Sequence, residues 1–217
     1  MITNNVIQRV FYIKNKSGTG TAFIIDIDKK QYFITAKHVI DNLNTGSIIE
    51  LFYQNDWQPF LIKLVGHHPV ADVSVFVIEH YIEAFEVIAD SNGIAYGQDL
   101  YFLGFPYGFK GNIGERNRHF PLPLVKKGIL SCIFFDDRPA YMLIDGHNNP
   151  GFSGGPVVFK TANSQDFKIA GIISGFYLER ENGLPVINSN SGIIIAYDIT
   201  VALELIKSNP IGLTVPK

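Results

Sequence analysis

Ser153 lies in Asn149-Pro150-Gly151-Phe152-Ser153-Gly154-Gly155-Pro156, one hydroxyl set among glycines. A serine that attacks a carbonyl needs such a setting. The attack turns the carbonyl oxygen into an oxyanion, which preorganised donors aimed at that charge stabilise. Gly151 has no Cβ to block a backbone turned so that its N–H points inward, and the N–H of Ser153 supplies a second donor. Two more side chains suit the same chemistry. His38 ends the run Phe33-Ile34-Thr35-Ala36-Lys37-His38-Val39, and Asp72 stands directly before Val73-Ser74-Val75-Phe76-Val77. The order is His38, Asp72, Ser153, with gaps of 34 and 81 residues. A histidine with an ordinary pKa near about 6.5 can take the serine proton and return it at neutral pH. Each site also has an ordinary reading. Gly-Ser-Gly steps make turns, a histidine after a strand packs or caps, and an aspartate before a strand turns the chain.

Positioning three such distant residues falls to short β-rich runs punctuated by glycine, proline and asparagine, the pattern of an all-β sandwich or barrel. Strands are predicted at 6–13, 20–26, 31–35, 48–52, 60–66, 73–78, 100–104, 128–134, 140–144, 156–159, 168–175 and 193–197. The end differs: residues 198–208 have helical periodicity, with Asp198 or Thr200 as N-cap and Pro210 beyond the end. Asp136-Asp137-Arg138-Pro139 reads as a hairpin turn, and the run from Phe109 to Leu122 as a charged loop, either solvated or covering a cleft.

Together, the three sites resemble the chymotrypsin-like (trypsin-fold) serine peptidases, and more closely their disulfide-free bacterial branch, the Deg/HtrA type. That family places its histidine in Thr-Ala-x-His-Val, its aspartate before a hydrophobic-Ala/Ser-Val strand, and its serine in Gly-x-Ser-Gly-Gly-Pro. Further steps are similar: Gly18-Thr19-Gly20-Thr21-Ala22-Phe23, Leu103-Gly104-Phe105-Pro106-Tyr107-Gly108, Gly128-Ile129-Leu130-Ser131 and Ile173-Ser174-Gly175-Phe176. The resemblance implies an all-β fold of two six-stranded antiparallel β-barrels within one domain over 1–217. Barrel one would cover about 5–88 and carry His38 and Asp72; barrel two, about 96–200, would carry Ser153; a C-terminal helix would follow at about 198–208. It also implies roles: Ser153 as nucleophile, His38 as general base and acid, and Asp72 orienting the imidazole. Gly151 and Ser153 would form the oxyanion hole. Ser174 would bond the aspartate, and Gly175 and Phe176 would pair with an extended peptide by strand addition.

Departures narrow the expectation. Phe152 stands where secreted members have an acid that pairs with a newly cut N-terminus, so activation by N-terminal insertion is not expected. His147 occupies about the place of the pocket acid; it is either a solvent-facing loop residue or part of a polar pocket for acidic or amide side chains. No PDZ domain is expected after the helix. The function implied is a serine endopeptidase acting through an acyl-enzyme, with peptide or protein as substrate and no metal or cofactor. The rival is a silent or latent module that uses the same cleft to hold peptide.

Composition bounds the rest. The 217 residues are 47% hydrophobic, enough for one large or two small cores. A net charge of −2 gives no general attraction to nucleic acid or anionic membrane. The single cysteine, Cys132, excludes an intrachain disulfide and reads as core. With no signal-peptide pattern at the start and no apolar run long enough for a membrane span, a cytoplasmic setting is expected. Any regulatory partner is unknown. His67-His68 is a poor metal site without further ligands, and no phosphate loop or dinucleotide fingerprint occurs.

Overall fold

The computed structural model of the protein describes residues 1–135, 139–161, 164–180 and 188–216. The turn expected at 136–138 lies outside them. Six strands form the first barrel: β1 (Val10–Asn15), β2 (Gly18–Ile27), β3 (Lys30–Thr35), β4 (Ile48–Tyr53), β5 (Asp56–His67) and β6 (Ser74–Ile78). They run in the order β3-β2-β1-β4-β5-β6, and β6 returns to pair with β3, so the sheet closes. Two-residue hairpins at Asp28-Lys29 and Gln54-Asn55 hold all four residues at positive φ, which matches the twist of the strands they join.

The second half repeats the plan. After the short β7 (Ile88–Ala89) come β8 (Asp99–Gly104), β9 (Leu124–Phe134), β10 (Tyr141–Asp145), β11 (Pro156–Lys160), β12 (Phe167–Arg180) and β13 (Asn188–Asp198). The order β11-β8-β9-β10-β13-β12 closes through β11–β12 pairing. The fold is therefore all-β, two closed six-stranded antiparallel barrels. Two short strands were not anticipated: β7 runs parallel to β12, and β14 (Leu213–Thr214) adds to the edge of β3. Closure pairs the first and last strands of each barrel, which an open sheet would leave as edges.

Three apolar clusters account for the sequence pattern. One fills barrel one around Phe11, Ile24, Phe33 and Phe76; another fills barrel two around Phe102, Met142, Phe152 and Ile194. The third, including Phe23, Ile34, Val75, Leu103 and Ile172, joins the barrels and the C-terminal helix. Strands β3 and β6 feed both a barrel interior and this shared layer, so they read as continuous apolar runs. Strand β9 has one face in water and alternates.

Helix α1 (Asn4–Ile7) replaces the start of the strand expected at 6–13. Val6 and Ile7 donate to the Thr3 carbonyl, and Val6 and Val10 both enter the shared core. That i, i+4 spacing fits a helical turn as well as a strand. Helix α2 (Lys37–Ile40) follows β3 directly. Helix α3 (Ile199–Ser208) forms where expected, with Asp198 accepting the Thr200 N–H at 2.8 Å as its N-cap. Among the described residues no helix is long and apolar enough to cross a membrane. Cys132 is half-buried on β9 rather than core, with its sulfur 4.0 Å from the Tyr96 hydroxyl.

Candidate active site

His38 is set by the end of β3 and the single turn of α2. Gly20 on β2 lies against Val39, where an added Cβ would meet Val39 at 2.7 Å, so the helix packs directly on the barrel. Asp72, just ahead of β6, reaches back to it. The Asp72 carboxylate accepts three bonds: the His38 backbone N–H at 2.8 Å on Oδ1, and the His38 Nδ1 and Ser174 hydroxyl, each at 2.7 Å, on Oδ2. Burial pushes the Asp72 carboxyl up, but these donors more than offset it and hold the group below its ordinary value. The same bond to Asp72, only partly opposed by burial, raises His38. With Nδ1 donating to an ionised carboxylate, Nε2 carries the imidazole lone pair. No group among the described residues bonds to Nε2.

Ser153 follows a turn in which Phe152 N–H bonds to the Asn149 carbonyl at 3.2 Å. Gly151 has φ +105°, and a Cβ there would lie 2.5 Å from the Phe105 carbonyl oxygen. Only glycine fits. The seven carbonyls from His147 to Ser153 are all occupied. That of His147 accepts from Lys126 Nζ, Asn148 from Asn190 Nδ2 at 2.6 Å, and Asn149 from Phe152. Pro150 accepts from Tyr107 N–H at 3.0 Å, and Gly151 from the Thr21 hydroxyl at 2.7 Å. Phe152 accepts from Gly155 N–H at 2.8 Å, and Ser153 from Thr21 N–H at 3.0 Å. In a planar trans peptide the N–H points opposite the preceding carbonyl. With the Pro150 and Phe152 carbonyls tied back, the N–H groups of Gly151 and Ser153 have no acceptor among the described residues. Two free donors beside a serine hydroxyl can hold an oxyanion.

The hydroxyl of Ser153 donates to the Ser174 carbonyl at 3.1 Å, and no hydrogen bond joins it to His38. Ser174 thus touches both partners, its hydroxyl on Asp72 and its carbonyl under Ser153. Gly175 and Phe176 continue β12, paired on one side with Ile195 and Ile194 of β13. The β11 ladder stops at Pro156–Ile172, so the other edge beyond Ile173 has no strand partner among the described residues. His147 is exposed, and its carbonyl rather than its ring is engaged. Its neighbour Asn148 points inward: it is 2% exposed, with Nδ2 3.4 Å from the Gly175 carbonyl. Phe152 packs in the barrel-two core, its ring 5.1 Å from that of Phe102. An acid at this position would be buried there.

Thr21, Tyr107, Lys126, Asn148 and Asn190 were not singled out from sequence as site residues. Thr21 and Tyr107 lie inside family-like glycine steps, a usable signal. Lys126, one of two adjacent lysines on an alternating strand, gave none. Two of the other histidines brace the approach to Asp72: His67 bonds the Ser74 hydroxyl at 2.6 Å and the Leu43 carbonyl at 3.2 Å, and His68 Nδ1 accepts from the Val70 and Ala71 N–H groups. No cluster of three possible metal ligands occurs among the described residues.

Two closed barrels, the first carrying the bonded His38–Asp72 pair and the second Ser153, with Ser174 bonded to both Asp72 and Ser153, define a chymotrypsin-like double-barrel protein. The chain belongs to the trypsin-like peptidase domain family, whose model matches residues 20–164. It is 29% identical over 167 residues to the probable periplasmic serine endoprotease DegP-like of Marinomonas sp. (strain MWYL1), covering 75% of this chain and 30% of that one. The chain thus spans under a third of that relative's length. Among solved structures, a serine-to-alanine mutant of Rv3671c from M. tuberculosis H37Rv, in an inactive form, superposes with a TM-score of 0.63 at 16% identity, over 94% of this chain and 88% of that one. The HtrA-type protease AlgW with a tripeptide gives a TM-score of 0.66 at 22% identity, over 94% and 60%. These structures share the fold. The expected cytoplasmic setting finds no support here, since the Marinomonas relative is named as periplasmic.

Proposed function

We propose that this chain is a serine endopeptidase working through His38, Asp72 and Ser153. Rotation about the Ser153 Cα–Cβ bond carries the hydroxyl from the Ser174 carbonyl to His38 Nε2. Its Oγ then attacks the substrate carbonyl carbon while its proton passes to Nε2. Asp72, ionised and bonded to Nδ1, stabilises the imidazolium. The carbonyl oxygen becomes an oxyanion between the N–H groups of Gly151 and Ser153. Collapse of this intermediate breaks the C–N bond, and the imidazolium proton goes to the leaving amine. Water repeats the sequence on the acyl-enzyme and frees Ser153. The substrate chain adds to the open edge of β12 at Ser174–Phe176, a main-chain mode that suits peptides of varied sequence.

The observation that carries this reading is the tied-back carbonyl run from His147 to Ser153, which leaves two donors free beside the hydroxyl. The test is labelling by a fluorophosphonate probe at neutral pH, comparing the native chain with Ser153→Ala. Labelling of the native chain that vanishes in the variant is expected. No labelling of either would overturn the reading in favour of a silent peptide-holding module.

A further inference from the structure

Lys126 and Lys127 are neighbours on β9 but face opposite ways. Lys127 pairs on the surface with Asp99 at 2.8 Å. The Lys126 ammonium instead donates to the His147 carbonyl and, at 3.0 Å, to Asn149 Oδ1, and lies 5.8 Å from the centre of the Phe152 ring. Among the described residues no carboxylate pairs with it. Its partners are a carbonyl, an amide oxygen and a ring face, all belonging to the six residues that precede Ser153. Burial lowers its pKa, so the charge is held there at a cost.

The contacts run onward from it. Asn149 accepts from Lys126 through Oδ1 and donates through Nδ2 to the Tyr107 hydroxyl at 3.4 Å. The backbone N–H of Tyr107 donates to the Pro150 carbonyl at 3.0 Å, the bond that turns Gly151 N–H the opposite way. Tyr107 itself sits at φ 54°, a left-handed conformation uncommon for a bulky residue and costly without support. We propose that Lys126 is a positioning residue: its ammonium pins His147 and Asn149 and so holds the Gly151 N–H in the orientation that receives the oxyanion. The inference rests on the endopeptidase reading for its purpose, though not for its geometry.

Two variants test it, Lys126→Met and Lys126→Arg, each in the full chain. Amide hydrogen exchange over 147–155 reads the segment directly. Faster exchange is expected in Lys126→Met and near-native exchange in Lys126→Arg. Turnover should separate in the same way. In Lys126→Met, kcat falls by about tenfold or more while KM changes little, because the lost orientation matters chiefly once charge develops. A peptide aldehyde, which forms a hemiacetal with Ser153, should lose affinity by a similar factor, whereas the same peptide as a carboxamide should not. A packing role alone would not separate those two ligands. Should Lys126→Met fail to fold, Asn149→Ala removes an acceptor, leaves the lysine in place, and should change exchange and aldehyde affinity in the same direction. Native exchange and aldehyde affinity in these variants would overturn the proposal. If the native chain proves unreactive at Ser153, the endopeptidase reading fails, and the exchange comparison still decides the role of Lys126.

Discussion

Thr21 of the first barrel and Gly151 of the second are joined by a 2.7 Å hydrogen bond, the threonine hydroxyl donating to the glycine carbonyl. The same hydroxyl accepts the Phe105 N–H at 3.1 Å, and the Thr21 backbone N–H donates to the Ser153 carbonyl at 3.0 Å. One fully buried residue of barrel one therefore grips the serine turn of barrel two at two points. Because His38 and Asp72 belong to barrel one, Thr21 also helps set the register between the two halves of the site.

Thr21→Val keeps the shape and deletes the hydroxyl. It orphans the Gly151 carbonyl and the Phe105 N–H, each at a cost of about 1–3 kcal/mol when buried. We expect a lower urea midpoint together with reduced kcat, and Thr21→Ser should restore most of both. A Thr21→Val protein with native stability and turnover would show that the contact has no such role.

Stability and activity should run in opposite directions across neutral pH. His38 is raised above its ordinary 6.5, so stabilisation from its bond to Asp72 is fully present below that value and is lost as pH rises through the folded value. Asp72 is lowered from 3.8, so its share is present above that value and is lost as pH falls through the folded value. The pair therefore contributes most between the two ordinary values. Catalysis needs a neutral His38 and so begins where that contribution fades. We expect kcat/KM to rise with pH through a midpoint above 6.5, measured alongside urea unfolding at each pH. A midpoint at or below 6.5 would contradict the raised imidazole.

Most strands were legible because they rest on local signals, apolar runs and turn residues, whereas the two closed barrels were legible only through the resemblance of the segments around His38, Asp72 and Ser153 to a known double-barrel family. Helix α1 was misread since Val6 and Val10 satisfy either period, and tertiary packing chose between them. The support around Ser153 was not legible for a different reason. Asn190 lies 42 residues from the carbonyl it holds, and Thr21 lies 130 from its own. No periodicity encodes such a pairing. Lys126 was hidden further by the identity of its neighbour, since strand alternation alone does not say which of two lysines faces the protein.

Glycines at the site divide into those the fold requires and one it leaves open. Gly154 has φ +82°, and an added Cβ would stand 2.1 Å from the Thr21 carbonyl oxygen and 2.2 Å from the Thr35 hydroxyl. Gly154→Ala must shift backbone on both barrels, so we expect a loss of about 3 kcal/mol or failure to fold. Gly175 differs: its φ is not positive, and a Cβ there meets nothing within 4 Å. Gly175→Val should therefore melt as the native chain does. If an extended peptide pairs along this edge of β12, the added side chain crowds the incoming strand, raising KM several-fold for a cleaved peptide while kcat at saturation stays close to native. Calorimetry and steady-state kinetics on the same preparation separate the two effects. An unchanged KM with native melting would move the substrate strand away from Gly175.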